Sequence, residues 1–167
     1  MDGLQAAWSR LGLPRVSTTL TNRLVGLALL LPAGAVLGIA AWLHPDPAGV
    51  GTHRQLGLGG CIVLTLTGVP CPMCGMTTTF SLMAHGRVFD ALLNQPFGVV
   101  LFVTTAVAAM VGAVDLARGR GLWRSGLAWV LRHETRVASL ILVGLFAGWI
   151  YKILVFRKII AHLLDGS

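Results

Sequence analysis

Charged side chains are scarce in this chain. Only 11% of its 167 residues are Asp, Glu, Lys or Arg, against roughly 25% in soluble domains. Hydrophobic residues make up 55% and mean hydropathy is +0.78, so the composition is that of a membrane protein. Acidic groups are fewest of all, six against thirteen Lys and Arg, for a net charge of +7. That excess flanks apolar runs and forms no patch interleaved with exposed aromatics, so nucleic-acid binding is not expected. Basic residues beside spans set topology and touch anionic lipid headgroups. Other absences narrow the chemistry: there is no Gly-rich phosphate loop, no His-Glu-x-x-His, no Ser-His-Asp arrangement and no run of paired carboxylates. No inverted repeat supports a transport pathway. The opening MDGLQAAWSRLGLPRVSTTL has no apolar core, so no cleavable signal is expected, and the first span reads as a retained signal anchor. Lipidation patterns are missing too, since Asp2 is not glycine and the chain ends LLDGS.

What is abundant is long apolar sequence and glycine, the latter at 21 residues, which suits close helix packing in lipid. Three spans are predicted: Leu24 to Leu43, stopped by His44-Pro45-Asp46-Pro47; Phe97 to Leu116, opening after Pro96; and Val137 to Phe156. Each is about twenty residues, enough to cross about 30 Å of hydrocarbon. Trp149 and Tyr151 are expected as interfacial anchors, with Lys152 snorkelling toward the headgroups. The expected fold is therefore all-α, a polytopic integral membrane protein with about three transmembrane helices plus a re-entrant or interfacial helical segment. It divides into an N-terminal cytoplasmic segment (1–22), a membrane domain (23–156) and a basic tail (157–167). Arg10, Arg15 and Arg23 precede the first span, and Arg118, Arg120, Arg124, Arg132 and Arg136 fill the loop after the second. The positive-inside rule then puts the N-terminus and that loop in the cytoplasm and the 44–96 segment outside. Lys152, Arg157 and Lys158 run against that assignment. Within the basic loop, LWRSGLAWVLRH reads equally as an interfacial helix or an irregular strand of chain.

The segment 58–96 is too apolar for a solvent loop and too broken by Gly and Pro for a span. Irregular backbone at membrane depth needs protein or a wet cavity around it, so a pair of short helices with GVPCPMCG at the turn is expected. After Cys74 the spacing becomes helical, with Met76, Phe80 and Met83 on one face and Thr77, Thr78 and Ser81 on another. Asp90 and Arg87 are placed for a solvated helix pair, and Asp115 for an interfacial ion pair with Arg118.

Cys71 and Cys74 admit three readings. Cys-x-x-Cys-Gly lets two thiolates chelate zinc, with Cys61, His85 and His53 as the remaining supply of ligands; a second Cys-x-x-Cys is absent. Thiol-disulfide exchange would use Cys71 to attack, Cys74 to resolve and Cys61 to relay. A disulfide or two buried thiols could simply pin the turn. The run from Cys61 through TGVPCPMCGMTT, the His85-Gly86 pair and the Ala91 to Pro96 turn resemble the bacterial membrane family called domain of unknown function 2752, whose signature is Cys-Pro-x-Cys-Gly-x-Thr-Arg. The resemblance spans about 44–116, with Thr78 in place of the arginine and Gln95 where asparagine usually precedes the proline. It implies a helical protein of the bacterial inner membrane. The expected role is a small accessory or assembly component, more a binding or structural element than an enzyme, with a structural or metal-binding cysteine turn. Zinc is the expected metal, and the bilayer, other membrane proteins or a second copy the expected partners. The alternative is a membrane thiol-disulfide oxidoreductase.

Overall fold

The computed structural model describes residues 18–165, with side chains over 18–156. Arg10 and Arg15, and the side chains of Arg157 and Lys158, lie outside the described residues. Among the described residues seven α-helices follow one another: α1 (Thr18–Trp42), α2 (Ile62–Thr67), α3 (Met76–Ala84), α4 (Val88–Asn94), α5 (Pro96–Arg118), α6 (Trp123–Arg132) and α7 (Glu134–Asp165), with a 3-10 turn at Thr52–Leu56 between α1 and α2. No strand occurs among the described residues.

Three helices among the described residues are long and apolar enough to cross a bilayer: Thr18–Trp42, Pro96–Arg118 and Glu134–Phe156. The all-α, polytopic expectation holds. α1 starts earlier than expected, inside the 1–22 segment, and α7 continues through most of the 157–167 tail. Sequence punctuation sets the ends. Pro45 and Pro47 forbid a continuation of α1, Pro96 opens α5 at a position whose missing N–H costs nothing, and Gly119 closes α5 with φ 63°.

α1 and α5 make the most extensive pairing in the bundle. They run antiparallel with Gly26 against Gly112, where a Cβ on either would come within 2.8 Å of the other's carbonyl oxygen. Only glycine permits that approach, which is how helices gain contact where lipid supplies no hydrophobic drive. α7 docks differently: Gly144 and Gly148, one turn apart, leave a notch that the Phe97 ring fills.

The buried set is unlike that of a soluble domain. Its apolar members are small or few (Ala33, Ala40, Leu43, Cys74, Leu82, Ala91), while Asn22, Thr52, Thr78, Thr79, Ser81, Asn94, Gln95, Asp115 and Lys152 are all buried. Leu31, Val100, Met110, Leu140 and Val143 are exposed, each by more than half, as lipid-facing side chains should be. Polar groups collect inside because hydrocarbon offers them no partner. Asp115 illustrates this. Its carboxylate makes no ion pair with Arg118; it accepts the backbone N–H groups of Leu122 (2.8 Å) and Trp123 (2.9 Å), capping α6 from a neighbouring helix. The 123–132 stretch is thus a regular helix, with Leu127, Trp129 and Leu131 exposed beside Arg124 and Arg132. Arg87 and Asp90 do form the exposed pair expected of them, at 2.7 Å.

Between α1 and α5 the chain makes the 3-10 turn and three short helices, α2, α3 and α4, with a loop between α2 and α3. α2 has six residues and α3 nine, so at 1.5 Å per residue they extend only about 9 and 14 Å. Neither crosses a bilayer. They sit at the end of the bundle where α1 finishes and α5 begins, and they carry the cysteines.

Candidate metal centre

Three cysteines from two neighbouring segments meet here. Cys61 is the residue before α2, Cys71 and Cys74 are in the loop before α3, and the three sulfurs all lie within 4.8 Å of one another. The Cys71 and Cys74 sulfurs are 3.3 Å apart, within thiol hydrogen-bond range and well beyond the roughly 2.05 Å of a disulfide.

The loop is fixed mainly through its backbone. Cys74 N–H donates to the Cys71 carbonyl (2.9 Å), closing a turn. The Trp149 indole N–H donates to the Pro70 carbonyl (2.7 Å), and the Gln95 amide to the Pro72 carbonyl (3.2 Å). Trp149 comes from α7 and Gln95 from the α4–α5 junction, so each proline carbonyl on either side of Cys71 is held by a different wall of the bundle. Gly75 then takes φ 89°, a left-handed conformation that an L side chain resists. A Cβ there would lie 2.8 Å from the Gly49 carbonyl oxygen and 2.9 Å from Lys152 Nζ.

α3 buries its hydroxyl-bearing face. Thr78, Thr79 and Ser81 point inward: Thr78 shares a hydroxyl hydrogen bond with Thr52 (2.8 Å), Thr79 Oγ1 accepts from Asn94 (2.9 Å), and Ser81 donates to the Leu43 carbonyl. These hydroxyls lock the cysteine loop to α1 and α4. Phe80 packs edge-on against Phe102 of α5, ring centroids 5.4 Å apart.

Electrostatics separate the three thiols. Cys61 is half exposed; the Leu64 backbone N–H and then the Cys74 thiol favour its thiolate and bring it down to about 7. Burial pushes the Cys74 thiol up to about 12, and its hydrogen bonds to Cys71 and Cys61 add to that. One sulfur is therefore poised to ionise near neutral pH and another keeps its proton until a strong electrophile or cation displaces it.

All three cysteines line a cavity of about 550 Å³ whose other walls include Ile39, Leu43, Leu64, Met73, Met76 and Phe80. His53 and Arg54 stand at its polar edge. His53 Nε2 donates to the Gly59 carbonyl (3.1 Å). His85 faces elsewhere, its Nδ1 donating to the Ser81 carbonyl (2.8 Å) and its ring 6.2 Å from that of His44. The structure thus brings Cys61, Cys71 and Cys74 together and leaves both histidines outside the sulfur cluster.

Residues 61–109 match the family model described as protein of unknown function (DUF2752). The match opens on Cys61 and contains the cysteine loop, α3, α4 and the first part of α5, narrower than the 44–116 resemblance but centred on the same residues. No curated protein and no solved structure matches the chain. Four groups that hold the DUF2752-like segment in place escaped the sequence reading as site residues: Trp149, Lys152, Asn94 and Gln95. Trp149 and Tyr151, expected as interfacial anchors, also donate to backbone carbonyls, Tyr151 to that of Leu93 (2.9 Å). Lys152 does not snorkel outward; it is 3% exposed and donates to Asn94 Oδ1 (2.6 Å) and the Gly49 carbonyl (2.9 Å). The signal was available in principle, because an ionisable residue interrupting a span marks a site by default.

Proposed function

We propose that this small membrane protein is an accessory or assembly component of the bacterial inner membrane, built around a structural three-thiolate zinc centre of Cys61, Cys71 and Cys74. The third sulfur carries the reading. A disulfide turn needs two cysteines, whereas this cluster draws its third from a separate helix and sets all three within 4.8 Å. Zinc–sulfur bonds of about 2.3 Å put tetrahedral sulfurs roughly 3.8 Å apart, so closure on a metal asks each pair to move by about 1 Å or less. Three soft sulfur donors suit zinc among the divalent cations. A fourth ligand would approach from the cavity that all three line; His53, which also lines it, is the histidine candidate. In the topology set by the basic loops, the N-terminus is cytoplasmic and the centre lies on the outer face.

A second reading is favoured by the 3.3 Å between Cys71 and Cys74. In it, the Cys71 thiolate attacks a disulfide of an exported protein, releasing one partner thiolate. Cys74, giving up its proton, then displaces the second partner thiol, leaving a Cys71–Cys74 disulfide and a partner reduced by two electrons. Cys61 would relay that oxidation by attacking the Cys71–Cys74 disulfide, forming a disulfide with one of the two sulfurs and releasing the other as a thiol.

The deciding experiment is metal analysis of the full chain purified in detergent, beside acid-quenched alkylation of the thiols in intact cells. One zinc per chain, lost in Cys61→Ser as well as in Cys71→Ser and Cys74→Ser, is expected. Metal-free protein with a uniformly oxidised 71/74 pair would overturn the zinc reading, and a mixed disulfide trapped in Cys74→Ser would establish exchange.

A further inference from the structure

Lys152 is anomalous on its own terms. It interrupts the third span, is 3% exposed, and among the described residues no carboxylate lies within salt-bridge distance of it, the one ion pair being Arg87–Asp90. Its two acceptors, the Gly49 carbonyl and Asn94 Oδ1, are neutral, and an ammonium has three donors. A buried ammonium with only neutral partners is costly, by several kcal/mol in real proteins. The other nearby cations are differently placed: Arg54 stands at the cavity's edge beside Gly60, exposed, where water screens its charge, and Arg87 is paired with Asp90.

What it does face is the cysteine loop. Nζ is close enough to Gly75 that a Cβ there would be 2.9 Å away, and Gly75 is the residue after Cys74. Three thiolates and one divalent cation leave a net charge of −1. A single fixed cation beside them brings the buried ensemble to zero, which a low-dielectric site favours strongly.

We infer that Lys152 is the counter-cation of the three-thiolate centre, a positioning residue that neutralises the metal–thiolate cluster and so ties its loading to the seating of α7. This rests on the zinc reading above. It also accounts for two features otherwise unconnected: a lysine inside an apolar span, and a glycine at position 75 whose missing Cβ makes room for the ammonium. Asn94, which donates to the Gly75 carbonyl (3.0 Å) while accepting from Lys152, orients the charge against the loop.

The test uses the full chain in nanodiscs, with zinc affinity measured by chelator competition and the thiolate-to-metal charge-transfer band recorded on the cobalt(II) form. Lys152→Met is expected to weaken zinc binding at least tenfold and to move the cobalt band to longer wavelength, because thiolate electrons lose a stabilising positive charge. Lys152→Gln keeps a donor for the Gly49 carbonyl and removes only the charge, so it should behave like Lys152→Met, and it decides the matter if the methionine variant does not fold. Wild-type affinity and an unmoved band in a folded Lys152→Gln protein would overturn the counter-cation while leaving the centre intact. Failure of the wild-type chain to bind zinc or cobalt would instead overturn the reading beneath it.

Discussion

Replacing Gly75 by alanine isolates the close approach on which the cysteine loop depends. Two costs add. The left-handed φ of 89° penalises any Cβ by about 1–2 kcal/mol. The new methyl would also meet the Gly49 carbonyl oxygen at 2.8 Å, Lys152 Nζ at 2.9 Å and Lys152 Cε at 3.0 Å. Backbone cannot yield as a flexible side chain can, and overpacking of this kind costs about 1–3 kcal/mol, for a total of about 2–5 kcal/mol. Gly86 supplies the control: its φ is 75°, but nothing lies within 4 Å of an added Cβ, so Gly86→Ala should show the conformational part alone, about 1–2 kcal/mol. Equilibrium unfolding of both variants in the same detergent gives the difference directly. Gly75→Ala should also expose Cys74 to alkylation, since the loop must lift to admit the methyl, whereas Gly86→Ala should not. Equal stability of the two variants within about 0.5 kcal/mol, with Cys74 still protected, would refute the packing account of this turn.

Asp115→Ala should destabilise the protein by about 3 kcal/mol or more, because two hydrogen bonds from backbone N–H groups to a buried carboxylate are lost at about 1.5–3 kcal/mol each; Asp115→Asn should recover part of it, read by thermal unfolding and by protease sensitivity between α5 and α7. In the reduced, metal-free protein, iodoacetamide should modify Cys61 at a rate that rises with pH and is half-maximal near pH 7. The direction follows from the sign: a lowered value means the thiolate is present above about 7 and lost below it, while Cys74, raised to about 12, stays protonated and unreactive through neutral pH. Trp149→Phe keeps the ring and removes the donor to the Pro70 carbonyl, so it should cost about 1 kcal/mol and raise the alkylation rate of Cys71 with little change at Cys61.

The spans were legible because their cause is local: twenty apolar residues ended by charge or proline declare themselves without reference to the rest of the chain. The short helices around the cysteines were legible for the same reason, from glycine and proline punctuation. Direction was not. Lys152 reads as a residue that should reach for water, and it turns inward because Asn94 and Gly49, more than fifty residues away in sequence, present acceptors. Asp115 reads as a partner for Arg118 one turn on, yet the unpaired N–H groups at the start of α6 are better placed to claim it. On α3 the spacing separated Met76, Phe80 and Met83 from the hydroxyl-bearing residues without saying which face packs; in lipid the hydroxyl face is the one that needs burying. Cys61 could be named as a third thiol, but only the return of α2 beside the loop decides that its sulfur reaches the other two.

Trp149 and Lys152 belong to α7, which is synthesised after the cysteine loop, and they supply the donors to Pro70 and Gly49. Until α7 has emerged and entered the bilayer, those carbonyls and the loop between them lack their final restraints, although every cysteine has already been made. Biogenesis therefore contains an interval in which the three thiols exist on a loop still open on one side. Whatever fills or oxidises the cluster has its easiest access then, and docking of α7 closes it.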